Sequence, residues 1–170
     1  MKKMFTLVIA VVLFLLSVLI VLYIAGSRMD ETHVAEGSAE VQGAPSGVAA
    51  RLRDIGSQAG WRKAVRRIDI LANENGAIRY RETGSNGALT FVFREIEANR
   101  SFESRIDDPS QPFGGRWLIT LAPAGERTRV AIREEGFVKP PIFRVLSRYA
   151  FGHDTTLKAY LKDLEAAQRR

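Results

Sequence analysis

The sequence predicts an α+β protein in which an antiparallel sheet of six to seven strands is covered by a long C-terminal helix, with one transmembrane helix preceding the domain. Three observations lead to this prediction. Residues 4–25 are uncharged and almost wholly apolar, alternating segments recur between residues 33 and 138, and residues 140–165 carry an apolar stripe at helical spacing. The 170 residues accommodate one globular domain beyond the apolar segment.

The N-terminal apolar segment is long enough to cross a membrane. At about 1.5 Å per residue, Met4 to Ala25 reaches about 33 Å, compared with a hydrocarbon core of about 30 Å. A cleaved secretory signal is the alternative, because Lys2 and Lys3 precede the segment and small residues follow it. Signal h-regions usually span about 7 to 15 residues, so the length of this segment favours an uncleaved anchor.

The charges flanking this segment predict its orientation. Lys2 and Lys3 precede it, whereas Arg28 follows it and is offset by Asp30 and Glu31. The positive-inside rule therefore places the N-terminus in the cytoplasm and the domain on the extracytoplasmic side of the cell membrane. A domain on the cytoplasmic side is the alternative. We divide the chain into an anchor (1–26), a short polar tether (27–32) and a domain (33–170).

The composition excludes several kinds of chemistry. Without cysteine the chain has no disulfide, thiolate nucleophile or cysteine-based metal site. The two histidines lie far apart in sequence, so we predict neither a metal site nor a cofactor. The basic segment at Arg62, Lys63, Arg66 and Arg67 is either a solvated face or a surface for anionic lipid. Without interleaved aromatic residues, it does not predict nucleic-acid binding.

Turn residues divide the middle of the chain into short strands, which predicts an antiparallel meander. The expected strands are 33–42, 64–71, 77–83, 88–97, 100–107, 116–123 and 128–138, with a short helix at 48–55. Apolar and charged residues alternate along the strands, as in 100–107, where Phe102 and Ile106 share one face and Glu103 and Arg105 the other. The sheet should therefore have one apolar and one charged face, and the apolar face needs a cover.

The C-terminal segment supplies that cover. Pro140 and Pro141 suit a helix start, where a missing N–H costs nothing. The predicted buried arc contains Ile142, Leu146, Tyr149, Ala150, His153, Leu157, Tyr160 and Leu164. Outside this arc lie the charged residues Arg144, Arg148, Lys158 and Lys162. Phe143 and Phe151 also lie outside it, and with Phe137 they could contact a membrane or a partner.

Most of residues 33–165 resemble the SRPBCC superfamily, in particular its START-like polyketide cyclase/dehydrase and lipid-transport proteins, and the resemblance is most specific from residue 106 onward. The resemblance is carried by "DPSQPFGGRW" (108–117), "TRVAIREEGFV" (128–138) and "PPIFRVLSRYAFGHDTTLKAYLKDLE" (140–165). Asp54, Trp61 and Arg62 match a weaker upstream segment. The resemblance implies a helix-grip fold, a curved antiparallel sheet around the C-terminal helix, with a cavity that accepts lipids, sterols, polyketides or other hydrophobic molecules.

The expected cavity lining combines inward positions of the strands with the helical arc. The candidates are Tyr80, Phe91, Phe93, Trp117, Ile119, Glu134, Tyr149, His153, Leu157 and Tyr160. His153 is a hydrogen-bonded core histidine, a ligand contact or an acid/base group. Glu134 and Glu95 share the parity of apolar neighbours, so either carboxylate could act as a buried base or lie at the pocket mouth.

The leading hypothesis is a membrane-anchored domain that binds a hydrophobic small molecule or lipid without catalysis or a cofactor. Protein partners are not specified by the sequence. No G-x-S-x-G motif supports a serine hydrolase. Two alternatives stay open: a cyclase/dehydratase-type enzyme acting in the same cavity, and an envelope scaffold module whose cavity is filled by side chains.

Overall fold

The computed structural model describes residues 2–84, 87–151 and 154–169. The elements are α1 (Lys2–Ser27), β1 (Thr32–Gln42), α2 (Pro45–Arg53), a 3₁₀ turn (Ile55–Gly60), β2 (Val65–Glu74), β3 (Ala77–Gly84), β4 (Gly87–Glu97), β5 (Ser101–Ile106), β6 (Phe113–Ala124), β7 (Arg127–Val138), α3 (Pro141–Leu146), a π-helical turn (Ser147–Phe151) and α4 (Thr155–Gln168).

The strands form one seven-stranded antiparallel sheet in the order β1-β7-β6-β5-β4-β3-β2. Strands β2 to β7 are a meander, and β1 closes onto the last of them, with Thr32 opposite Phe137 and Gln42 opposite Arg127. The predicted sheet of six to seven antiparallel strands with a C-terminal helix is therefore confirmed. The first and last strands are neighbours, so the end of α1 and the start of α3 lie at the same end of the sheet.

The inner face of the sheet packs against α4, α2 and the 3₁₀ turn. Its fully buried core includes Val41, Leu52, Phe102, Ile119, Val130, Ile132, Leu157 and Leu164. Apolar residues at every second strand position supply the sheet side of this core, as the sequence alternation predicts. In α4 the buried positions Leu157, Leu161 and Leu164 recur at helical spacing.

The outer face carries a ladder of alternating charges across five strands. From β4 to β1 the ladder contains Arg94, Glu103, Arg116, Glu135, Arg133 and Glu36, and each is ion-paired with the next. Hydrogen bonds from Arg116 and Arg133 lower the pKa of Glu135 below the ordinary value. The predicted charged face is thus present, and its cations are balanced by carboxylates on adjacent strands.

The closing segment differs from the single continuous helix that the sequence predicts. The π-helical turn between α3 and α4 adds a residue to the turn and shifts the phase of residues on either side. Leu157, Tyr160 and Leu164 are buried as predicted, but Tyr149 is 75% exposed, so its predicted place in the buried arc is wrong. Arg144 is 8% exposed, although the helical arc predicted it outside. His153 lies outside the described residues.

Helix α1 is long and apolar enough to span a membrane from Lys3 to Ser27, and none of its most apolar window is buried against the domain. An N-terminal signal sequence would have the same composition. The structure is therefore compatible with both alternatives that the sequence left open.

Candidate functional site

The inner face of the sheet is fully buried at one end and partly uncovered at the other. Phe102, Ile119 and Ile132, near the middle, are at most 2% exposed. Near the strand ends next to α3, the side chains on the inner face are only partly buried. They are Leu89, Phe91, Ile106, Trp117 and Glu134. We call these five residues the open end. They lie on adjacent strands, since Phe91 pairs with Ile106 and Trp117 with Glu134.

Glu134 is the acidic group of the open end, and its carboxylate is held from two sides. The indole Nε1 of Trp117 donates to Oε2 at 2.7 Å, and His33 Nε2 lies 3.3 Å from Oε1. The side chains of His33 and Glu134 are less than one-fifth exposed. This arrangement orients the carboxylate and the indole together at the edge of the apolar surface.

His33 was not among the residues that the sequence singled out. The antiparallel pairing of β1 with β7 places it opposite Gly136, two residues after Glu134. This contact joins residues 101 positions apart in the chain. The only local signal is that His33 shares the parity of Ala35 and Val41, which are buried on the same face of β1.

An aromatic cluster connects the open end with α4. The ring of Tyr160 meets that of Trp117 edge-on at 5.3 Å and that of Trp61 at 5.5 Å. The guanidinium of Arg62 lies 5.2 Å from the centre of the Tyr160 ring, within cation–π distance. Burial raises the pKa of Tyr160, and the positive charge of Arg62 opposes this shift.

Arg62 belongs to this buried cluster rather than to the basic surface that the sequence suggested. Its two terminal nitrogens donate to the Glu82 carboxylate at 2.6 and 3.0 Å, and one also reaches Gln58 at 3.2 Å. The Arg62 and Glu82 side chains are 13% and 16% exposed. The other members of the basic segment, Lys63, Arg66 and Arg67, are exposed at the surface.

Tyr80 lies behind the open end, where it stacks on Phe91 with ring centres 5.5 Å apart. It is 3% exposed, and its hydroxyl forms a hydrogen bond with the Ser104 side chain. Burial raises the pKa of Tyr80 to about 12, while the hydrogen bond with Ser104 acts in the opposite direction. Tyr80 is consequently a neutral polar group within an otherwise apolar wall.

The raised pKa of Tyr80 predicts a loss of stability in alkali. Between pH 10.0 and about 12 the unfolded tyrosine ionises while folded Tyr80 stays neutral, so the free energy of unfolding falls as pH rises through this window. Urea denaturation across the window, compared between wild type and Tyr80→Phe, measures the effect. We expect a smaller fall in the variant. A phenolate absorbance difference between the folded wild type and Tyr80→Phe that titrates near pH 10.0 would contradict the assignment.

The other predicted site residues occupy different places. Phe93 stacks on Phe102 at 5.7 Å within the core, where Ile119 and Leu157 are also fully buried. Glu95 lies away from the open end and accepts hydrogen bonds from Arg53 Nη1 (2.8 Å) and the Asn99 amide (2.6 Å). Which residues contact a ligand stays a prediction. Of the predicted lining residues, Phe91, Trp117 and Glu134 lie at the open end, and Tyr80 and Tyr160 lie beside them.

Two surface clefts flank the strand ends near α3. One, of about 600 Å³, lies beside the loop between β5 and β6 and is lined by Arg105, Phe113, Phe137 and Lys139 among others. The other, of about 340 Å³, lies between the end of α1, the start of β1 and α3. Within the described ranges, no group of three or more histidine, aspartate or glutamate side chains is arranged to hold a metal ion.

A seven-stranded antiparallel sheet closed by a C-terminal helix, with a partly uncovered apolar inner face, defines the START-like class of helix-grip ligand-binding folds. Residues 32–168 match the family model described as polyketide cyclase / dehydrase and lipid transport. The chain belongs to this family. A search of curated proteins found no significant match.

Several solved structures have the same fold. A START superfamily protein from Mycobacterium smegmatis is 17% identical with a TM-score of 0.63, and the match covers 81% of this chain and 97% of that one. The Zhui aromatase/cyclase from Streptomyces sp. R1128 is 15% identical with a TM-score of 0.64, covering 82% and 94%. A conserved protein from Geobacillus kaustophilus is 14% identical with a TM-score of 0.64, covering 81% and 95%. At these identities the likeness establishes the fold.

Proposed function

We propose that the protein is a membrane-anchored binding domain for a hydrophobic small molecule or lipid, which occupies the open end between the sheet and the C-terminal helical segment. The observation that carries this proposal is the change in burial along one sheet face. Phe102 and Ile119 are fully buried, whereas Phe91, Ile106 and Trp117 on the same face keep part of their apolar surface uncovered.

The open end has the composition of a site for an apolar ligand with one polar group. Covering aromatic and aliphatic surface contributes about 25 cal/mol per Å² of apolar area. A few fixed polar groups then orient the ligand, and Glu134 with its Trp117 partner is suited to receive a hydroxyl or protonated group. Solved proteins of this fold include a START superfamily protein, which agrees with a binding role.

Helix α1 supports the membrane part of the proposal. An uncleaved α1 would keep the domain beside a lipid reservoir, and Lys2 and Lys3 favour a cytoplasmic N-terminus with the domain on the opposite side of the cell membrane. A protease applied to spheroplasts, which expose the outer side of the cell membrane, would digest the domain in this orientation. Protection of the domain in spheroplasts, with digestion after lysis, would indicate the opposite orientation.

Truncating an open-end side chain should weaken binding. We expect Phe91→Ala to raise the Kd of full-length protein in nanodiscs for a fluorescent polyene fatty acid by about tenfold, because a lost apolar contact of about 1.4 kcal/mol corresponds to that factor. Ile96→Ala, on the same strand but with its exposed side chain on the opposite face, is the matched control and should bind as wild type does. Equal affinity of both variants, with both folded, would contradict the proposal.

An enzyme of the cyclase/dehydratase kind is the second candidate, favoured by Glu134 at the open end and by the similarity to an aromatase/cyclase. Here the carboxylate would take a proton from carbon next to a ketone, as ring closure or water loss requires. Turnover of a poly-β-ketone by the wild type and its loss in Glu134→Gln would support this candidate. Absence of both turnover and saturable ligand binding in a folded protein would favour the scaffold alternative.

A further inference from the structure

Arg144 connects the end of α1 to the C-terminal segment of the domain. Its guanidinium donates to the carbonyl oxygens of Gly26 (3.4 Å), Met29 (3.2 Å) and Val138 (2.8 Å), and it is ion-paired with Glu31. These acceptors come from the end of α1, the link that follows it and the end of β7. A buried arginine whose donors are satisfied by several segments fixes those segments relative to one another.

Helices α1 and α3 are also closely packed. Gly26 is buried between exposed neighbours, and a methyl group at position 26 would overlap the carbonyl of Pro141. One turn earlier, Leu22 is half-buried between exposed Val21 and Tyr23. The segment predicted as a tether is held as well, because the Val138 amide donates to the Glu31 carbonyl at 2.8 Å. The domain is therefore joined to α1 by a fixed junction.

The length of α1 sets the level of this junction in a membrane. The 25-residue candidate span is about 37 Å long, which exceeds a hydrocarbon core of about 30 Å, so its last turn reaches the headgroup region. Helix α3 packs beside Gly26 and so lies at that level. Phe143 on α3 and Tyr23 on α1 are both exposed there, and aromatic side chains favour the membrane–water interface.

The charges around the junction suit anionic lipid. Three exposed cations, Arg28, Lys139 and Arg148, surround it. Among the described residues of the cleft between α1, β1 and α3, the carboxylates are Asp30 and Glu31, and Glu31 is ion-paired with Arg144. Basic residues held near a membrane surface are attracted to anionic headgroups.

We propose that α3 and the π-helical turn form a bilayer-docking surface. Arg144 holds this surface at the level of the lipid headgroups. The open end is then the end of the sheet nearest the membrane. The partner is the anionic lipid surface itself. This inference rests on α1 spanning the bilayer, as proposed above, and adds a fixed position of the domain on that bilayer. A ligand could then pass between the lipid and the open end without crossing bulk water.

Site-specific fluorescence in vesicles tests this inference. The chain has no native cysteine, so Phe143→Cys, Ile96→Cys and Leu13→Cys each give one labelling site in the full-length protein. Ile96 is the matched control for Phe143, because the two side chains are 58% and 59% exposed. Each variant carries an environment-sensitive dye in vesicles of phosphatidylglycerol and phosphatidylcholine, with a quencher attached to the lipid headgroups or acyl chains.

We expect headgroup quenching to be at least threefold stronger at position 143 than at 96, and acyl-chain quenching to be strong at 13. Quenching at 13 with equal, weak quenching at 143 and 96 would overturn the docking inference while leaving the anchor intact. Lack of quenching at 13 would instead overturn the membrane-spanning role of α1 on which it rests.

Substitution of Arg144 tests its part in the junction. Arg144→Gln should reduce quenching at 143 at least twofold with no change at 13, because the side chain no longer reaches several carbonyls at once. Arg144→Lys keeps the charge but lacks the planar fork, and a partial reduction is expected. Thermal denaturation confirms that each variant is folded. Unchanged quenching at 143 in both variants would overturn the role of Arg144.

Discussion

Replacing Arg62 by alanine is expected to destabilise the protein by about 3–5 kcal/mol, because it leaves Glu82 largely buried without its ion-pair partner. The substitution also removes the cation over the Tyr160 ring and the contact with Gln58. Urea denaturation followed by the fluorescence of Trp61 and Trp117, which both contact Tyr160, measures the loss.

Two comparisons make the result specific. Arg67→Ala removes an exposed ion pair with Asp69 and should cost no more than about 1 kcal/mol. The double variant Arg62→Met with Glu82→Leu should be more stable than Arg62→Ala, since it leaves no unpaired charge. A cost for Arg62→Ala as small as that for Arg67→Ala would show that the Arg62–Glu82 pair is effectively solvated.

Leu157→Ala is expected to cost about 2–5 kcal/mol, because Leu157 is fully buried where α4 crosses the sheet. Its side chain fits against Gly37 of β1, where an added methyl group would overlap Leu157 Cδ2. Lys162→Ala, on the exposed side of α4, is the control and should change stability by less than about 0.5 kcal/mol.

Gly37 supplies an independent check of this contact. Gly37→Ala alone should destabilise by overpacking, whereas in the Leu157→Ala background the added methyl group enters the vacated space. The double variant should therefore be more stable than the sum of the single changes predicts. If the changes in the free energy of unfolding are strictly additive, Leu157 of α4 does not pack against Gly37 of β1.

The sheet and its covering helix could be predicted because each residue's place depends on local pattern. Apolar residues alternate in β6 and β7, and Leu157, Tyr160 and Leu164 recur at helical spacing, so the buried face is visible from neighbours in sequence. The π-helical turn could not be predicted in this way. Its extra residue shifts the helical phase, and Tyr149 is exposed for that reason.

The polar parts of the candidate site depend on contacts between distant segments. Glu134 was predicted to point inward, but its partner His33 becomes apparent only when β1 pairs with β7. Helical spacing predicts that Arg144 is an exposed cation. It is buried because it donates to carbonyl groups of α1 and β7, which lie outside its own helix. Arg62 likewise reads as part of a basic patch until β3 brings Glu82 beside it.

Photo-cross-linking of a diazirine-bearing fatty acid to the full-length protein in nanodiscs tests the proposed binding role most directly. Mass spectrometry of the labelled peptides should place saturable attachment on β4 and β6, at Leu89, Phe91 and Trp117, and an excess of unlabelled fatty acid should remove it. Labelling confined to α1, or to the outer cleft around Arg105 and Lys139, would contradict binding at the open end.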